Sequence, residues 1–142
     1  MKIALFSDIH ANLPALEAFF ADLEKRKPDA VYCLGDPVGY NIWPNEVIQA
    51  IRKRGIPTIA GNYDQGIGRM SNECGCAYKT TEDKDMGQIS ISYTNSLVGD
   101  DERKYLRTLP AHIRVEFQLN DDTLTLMLVH GSPRKINEYL FE

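Results

Sequence analysis

The sequence predicts an α/β protein built on a parallel sheet. Two features carry that prediction. Short apolar runs alternate with helix-periodic segments over residues 2–61, the pattern of strand, helix, strand, helix, strand joined by right-handed crossovers. Each apolar run is also followed directly by Asp, His or Asn, and in open α/β sheets the carboxyl ends of strands form the edge where ligands bind.

The elements follow in order. KIALF is a short apolar run with the length of a buried strand. Asn12 and Pro14 then open a helix, with Leu16, Phe19, Phe20 and Leu23 on one stripe, and EKRKPD ends it. AVYCLG is a second buried strand, broken at Gly35-Asp36-Pro37. Pro44 opens a second helix, NEVIQAIRKR, with Val47, Ile48 and Ile51 turned inward and Gly55 closing it. IPTIAG is a third short strand. Residues 61–80 carry Gly61, Gly66, Gly68 and Gly75 among polar residues and read as a long surface loop, a kind that often serves function. Met86, Ile89, Tyr93 and Leu97 fit a helical stripe better than the competing strand alternation of Ile89, Ile91 and Tyr93. DDERKYLRTL is a helix with acids in its first turn and Pro110 behind it. HIRVEFQL and TLTLMLVH, separated by Asn120-Asp121-Asp122, predict a β-hairpin.

Composition narrows the functional classes. At 142 residues, 43% hydrophobic and 25% charged, the chain is expected to form a single domain over 1–142 with a real core. No run approaches a membrane span, and the first apolar run breaks at Ser7-Asp8, unlike a signal peptide, so a cytoplasmic location is expected. A net charge of −4 gives no strong nucleic-acid signal. Three cysteines argue against a disulfide framework. Cys33 reads as core, and Cys74-Gly75-Cys76 is spaced too tightly for a usual zinc motif, so an ordinary loop is expected there.

The polar residues at the strand ends form a chemically specific set. Asp8 and His10 follow the first strand, Asp36 the second, Asn62 and Asp64 the third, and His130 the last. Taken singly, each has a bland reading as a turn residue or a solvated histidine. Together they supply oxygen and imidazole donors without thiolate, which suits Mn²⁺, Fe or Zn²⁺ better than Mg²⁺, Ca²⁺ or an iron–sulfur centre. A carboxylate can bridge two such cations, and a paired site of this kind activates water for attack on phosphorus.

FSDIH, GDPVGY, GNYD and VHGSP resemble the ordered motifs D-x-H, G-D, G-N-H-D/E and an isolated H of the calcineurin-like metallophosphoesterases. The start D-x-H-x-N and the VGY after GD are similar to the small bacterial phosphodiesterase-like branch. The resemblance covers essentially the whole chain. It implies a metallophosphoesterase-like α/β/β/α sandwich and a dinuclear site of two divalent transition-metal ions (Mn, Fe, Ni or Zn). Asp8 and His10 would bind the first ion, Asp36 would bridge both, and Asn62 and His130 would bind the second, with Asn62 near the substrate phosphate. The implied reaction is hydrolysis of a phosphodiester or phosphomonoester, in a phosphorylated small molecule or similar substrate, by hydroxide attacking in line.

Two departures qualify that expectation. The histidine of the family's G-N-H-D/E motif, placed near the leaving group, is Tyr63 here, followed by Asp64 as the steadying carboxylate. A tyrosine is a poor proton shuttle at neutral pH, and loss of a general acid is worth roughly a hundred- to ten-thousandfold. His112, at the start of a strand, is expected to be structural or at the surface rather than a replacement. The family's later G-H-x-H motif has no counterpart in the chain, so the sequence is expected to hold only the N-terminal portion of the sandwich. The apolar residues Ile136, Tyr139, Leu140 and Phe141, with an open strand edge, favour pairing into a homo-oligomer. The alternative function is a catalytically impaired or inactive module that binds metal or a phospho-ligand, or a fragment that works only in a longer or oligomeric form. Arg69, Lys79 and Arg134 are candidate phosphate contacts, weighed against ordinary solvated positions.

Overall fold

Residues Ile3–Phe6 form β1 and Ala30–Cys33 form β2, paired in parallel from Ile3 opposite Ala30 to Phe6 opposite Cys33. The computed structural model describes residues 1–140; Phe141 of the C-terminal apolar segment lies outside them. Between the strands runs α1, Leu13–Arg26. Asn12 caps it by accepting the Ala15 N–H at 3.1 Å, with Pro14 in the first turn. After β2, Pro44–Lys53 form α2, whose Val47, Ile48 and Ile51 are fully buried. α1 and α2 close over β1 and β2 around Phe6, Leu16, Phe20, Cys33, Val47 and Ile51.

The expected third strand is reduced to a single parallel bridge between Cys33 and Thr58. Pro57 withholds a ladder N–H, and its carbonyl instead accepts from Cys33 at 3.0 Å. The segment still runs beside β2 and delivers Gly61 to the same end of the sheet.

The expected loop at 61–80 begins as a helix instead. Asn62–Gly68 form α3, started by Asp64 in its first turn, whose Oδ2 accepts the Gly61 N–H at 2.8 Å. Its glycines argue against helix locally. Burial of Tyr63 and Ile67 against α5 overrides that, as packing commonly does for short helices.

Thr81–Leu97 form α4, Asp100–Thr108 form α5, and His112–Leu119 (β3) pairs antiparallel with Asp122–Val129 (β4) across the two-residue turn Asn120–Asp121. Asn120 has φ +50°, a conformation Asn tolerates. The hairpin alternates as expected, with Ile113, Val115 and Phe117 half-buried between exposed neighbours, and His112 is exposed. The orientation of α4 differs from its apolar stripe. Met86, Ile89 and Tyr93 face outward, and the buried face is Gly87, Ser90, Ile91 and Thr94. Small residues let α4 approach closely: a Cβ on Gly87 would strike the Tyr78 hydroxyl. The second core, of Val38, Ile48, Tyr63, Ile67, Ile91 and Leu106, fills the space between α2, α3, α4 and α5. No helix among the described residues is long and apolar enough to cross a membrane.

Candidate metal centre

The chain segments leaving β1 and β2 are laced together by backbone hydrogen bonds. Asp8 N–H donates to Gly35 O at 3.0 Å, His10 N–H to Asp36 O at 2.9 Å, and Ala11 N–H to Pro37 O at 2.7 Å. Within this lacing Asp8, His10 and Asp36 all adopt left-handed backbone conformations, with φ of 55°, 48° and 54°. Such conformations cost a non-glycine residue on the order of 1 kcal/mol or more each, and they persist where surrounding contacts over-determine them. The third segment must come equally close. A Cβ on Gly61 would collide with the Asp36 carboxylate, and one on Gly35 with the Gly61 backbone. Two glycines thus permit three strand ends to meet.

The donor atoms of Asp8, His10 and Asp36 lie within 4.8 Å of one another. Asp36 is 2% exposed. Its Oδ1 accepts the Tyr63 N–H at 2.9 Å, while its Oδ2 lies 3.9 Å from His10 Nε2 and 3.6 Å from His130 Nε2. The histidines are held alike. Nδ1 of His10 bonds the Val38 carbonyl at 2.8 Å, and Nδ1 of His130 bonds the Leu34 carbonyl at 2.8 Å. A carbonyl can only accept, so each Nδ1 carries a proton, and each Nε2 faces the cavity, where it is free to ligate once it carries none. Asn62 is fixed too: its Nδ2 donates to Cys74 O at 2.8 Å, aiming Oδ1 at His130 Nε2, 3.1 Å away. Asn62 Oδ1, His130 Nε2 and Asp36 Oδ2 therefore converge on one another.

Electrostatics sharpens the picture. Burial pushes the Asp36 carboxyl up to about 7 and the fully buried Asp64 up to about 8, the latter raised further by the Asp36 charge. For His10, burial is outweighed by Asp8 and Asp36, which leave its pKa raised; for Asp8, burial is outweighed by hydrogen bonds with His10 and Ser7, which leave its pKa lowered. Among the described residues, no Lys or Arg lines the cavity onto which these groups open. A buried carboxylate faced by two imidazoles, with no Lys or Arg among the described lining residues, suits a divalent cation.

The cavity has a volume of about 460 Å³ and is lined by Asp8, His10, Asp36, Asn62, Tyr63 and His130 together. Asp64 does not line it. Its Oδ2 accepts the backbone N–H groups of Asp36 and Gly61, both at 2.8 Å, while Oδ1 has no partner. The Tyr63 ring packs against Gly39, and its hydroxyl, buried among those of Tyr40, Ser90 and Tyr78, finds no partner at hydrogen-bonding geometry; burial drives its pKa far above the ordinary range. Cys76 lines the cavity, whereas Cys74 is buried against Gly66, where burial pushes its thiol up to about 12. Arg69, Lys79 and Arg134 stand outside the cavity lining, and Arg134 pairs with Glu138 at 2.6 Å. Sequence reasoning missed Tyr40 and Tyr78 as wall residues. Tyr40 was visible as the last residue of GDPVGY, but nothing in that motif marked it as a wall of the cavity.

A family model described as calcineurin-like phosphoesterase matches residues 1–140. The uncharacterized protein MJ0912 of Methanocaldococcus jannaschii is 34% identical over 142 residues, a span of 98% of this chain and 54% of that protein. The crystal structure of a metallophosphoesterase from Sphaerobacter thermophilus is 30% identical with a TM-score of 0.67, covering 99% of this chain and 51% of its own. The hypothetical protein PH1004 from Pyrococcus horikoshii OT3 is 26% identical with a TM-score of 0.74, covering 99% and 58%. The chain thus spans about half the length of the relatives it matches, and its mixed α/β structure is a part of their fold.

Proposed function

Because the chain belongs to the calcineurin-like phosphoesterase family, we propose that its Asp/His cavity serves metal-dependent hydrolysis of a phosphodiester or phosphomonoester. The observation that carries this reading is the convergence of Asp8, His10 and Asp36 donors within 4.8 Å, with His130 3.6 Å from the same Asp36 oxygen and Asn62 beside it. Asp8, His10 and Asp36 would hold one divalent cation, and Asp36, Asn62 and His130 a second. When bound, such cations supply Lewis acidity, making water nucleophilic near neutral pH and neutralising phosphoryl oxygens.

The chain's own residues do the positioning. The carbonyls of Val38 and Leu34 fix the ring orientation of His10 and His130, as outer-shell partners of ligating histidines do. The Cys74 carbonyl fixes Asn62. The Tyr63 N–H fixes Asp36, and Asp64 acts through the backbone of Asp36 and Gly61 as a positioning residue. The Tyr63 side chain, with its pKa driven upward, holds its proton and is a poor general acid. Esters whose leaving groups need no protonation, such as aryl phosphodiesters, are therefore the favoured substrates. A second reading draws on the same Tyr63: a module that binds metal and phosphate without turnover.

Metal analysis of the purified chain, with hydrolysis of bis(4-nitrophenyl) phosphate, tests the proposal. The expected result is bound Mn²⁺, Fe, Ni²⁺ or Zn²⁺ and turnover that is lost in Asp36→Asn. A chain that takes up none of these ions overturns it. Metal uptake without turnover selects the binding module.

A further inference from the structure

The mouth of the cavity is aromatic. Four of the chain's seven tyrosines, Tyr40, Tyr63, Tyr78 and Tyr139, line it. Tyr63 belongs to the core, but Tyr40 does not, being 48% exposed. Its ring centroid lies 4.8 Å from that of His10, edge-on at 90°, and 5.0 Å from that of Tyr63. Tyr40 is thus one ring away from the donor cluster.

The backbone holds Tyr40 there against its preference. It has φ +58°, directly after Gly39 at φ +100°. A bulky residue in the left-handed region is a true outlier, where Gly or Asn would be at ease. Neighbouring bonds maintain it. Tyr40 N–H donates to Ser90 Oγ on α4 at 2.8 Å, and Asn41 Nδ2 donates to His10 O at 2.8 Å. The contacts of the Tyr40 ring with His10 and Tyr63 use one part of it and leave 48% exposed at the cavity mouth, and an outlier held in that place points to use. Tyr78 is accommodated at similar cost to local preference, since the helix-interior Gly87 is what leaves space for its hydroxyl. Tyr40 and Tyr78 also line a neighbouring groove with Ala77, Lys79 and Met86, so they form a wall shared by both depressions. With no Lys or Arg lining the main cavity, the wall offers ring surface rather than countercharge to whatever the phosphate carries.

We propose, resting on the phosphoesterase reading of the same cavity, that Tyr40 and Tyr78 form a subsite for a planar aromatic ring. The substrate class is then a phosphoester bearing a nucleobase or aryl group rather than a bare sugar or alkyl chain. The volume of about 460 Å³ is within the range of small-molecule sites.

Calorimetric titration of the full chain with Mn²⁺ present tests it, using inorganic phosphate, ribose 5-phosphate, AMP and phenyl phosphate as probes. AMP is expected to bind about tenfold more tightly than ribose 5-phosphate, the scale of one base stacked on one aromatic side chain. Tyr40→Phe should keep that ratio and Tyr40→Leu should bring it to within about twofold. Equal affinity of the two probes in the unmodified chain overturns the subsite, whatever the variants do. So does a ratio that survives in Tyr40→Leu/Tyr78→Leu with an unchanged circular dichroism melt. Phenyl phosphate matching AMP identifies ring surface alone as the feature read, and AMP exceeding it identifies a nucleobase. Absence of Asp36-dependent phosphate binding instead overturns the phosphoesterase reading; adenosine against ribose then decides the aromatic subsite separately.

Discussion

Metal binding to this chain should release protons below about pH 7, and the structure fixes the sign. Burial holds the Asp36 carboxyl at about 7 instead of 3.8, and Asp64 at about 8. Both folded values lie above the unfolded ones, so between about pH 4 and 8 the metal-free folded chain binds protons that the unfolded chain has given up. Its stability therefore falls as pH rises through that window. For Asp36 alone, the span from 3.8 to about 7 corresponds to about 4 kcal/mol once the carboxyl is ionised. His10, raised above 6.5 through Asp8 and Asp36 against the opposing effect of burial, contributes stability that is fully present below 6.5 and lost as pH rises through its folded value. A cation at Asp8, His10 and Asp36 displaces the protons held by Asp36 and His10, but not that of Asp64, which lies outside the cavity lining. Affinity should weaken about tenfold per pH unit below 7 for each proton displaced, and level off above about 8. Isothermal titration of Zn²⁺ at pH 6, in two buffers of different ionisation enthalpy, measures the release directly: one to two protons per ion are expected. Affinity independent of pH between 5.5 and 7, with heats independent of buffer, refutes the claim that these buried protonated groups are ligands.

Three further outcomes follow from local geometry. Gly61→Ala should abolish metal binding while leaving most helical circular dichroism, because its Cβ would overlap the Asp36 carboxylate; metal affinity within twofold of the unmodified chain would contradict the close approach. Tyr63→His restores a side chain able to donate a proton near pH 7, and it should raise turnover of alkyl phosphodiesters about a hundredfold relative to aryl ones; an unchanged alkyl-to-aryl ratio would show that residue 63 does not face the leaving group. On α4, Ile91→Ala should cost about 2–4 kcal/mol in urea unfolding and Ile89→Ala under about 0.5, since Ile91 is buried and Ile89 exposed. The reverse order would mean the helix presents its other face.

The strand ends were legible because they rest on residue type, although β1 and β2 are half-buried, with Leu5 48% exposed, rather than buried as expected. Asp8, His10, Asp36, Asn62 and His130 each follow an apolar run; the parallel pairing of β1 and β2 aligns the first three, while His130 arrives from the separate antiparallel hairpin. The caps of α1 and α2 were legible for the same local reason, through Asn12, Pro14 and Pro44. Where tertiary packing decided, the pattern misled. Three glycines hid α3, whose helix depends on Tyr63 and Ile67 being buried by α5. The apolar stripe of α4 indicated the wrong face, because Gly87, Ser90 and Thr94 pack inward by being small rather than apolar. Asp64 reads from sequence as a partner of residue 63. Its actual hydrogen bonds, to the N–H groups of Asp36 and Gly61, run to backbone atoms that no side-chain pattern encodes.

The donor inventory carries a consequence for affinity. The Asp36 carboxylate stands between the two histidines, with His10 at 3.9 Å and His130 at 3.6 Å from the same oxygen. On the proposed reading each cation then draws three protein donors, one of them shared. Three donors leave coordination positions open, which hydrolysis requires for water and substrate. They also make each ion's hold depend on its neighbour, because removing one cation returns the full Asp36 charge, and its preference for a proton, to the other. Occupancy of the two positions should therefore be strongly coupled. The left-handed backbone of Asp8, His10 and Asp36 and the crowding at Gly61 resist any loosening of the shared carboxylate, so that coupling falls on the ions rather than on the fold.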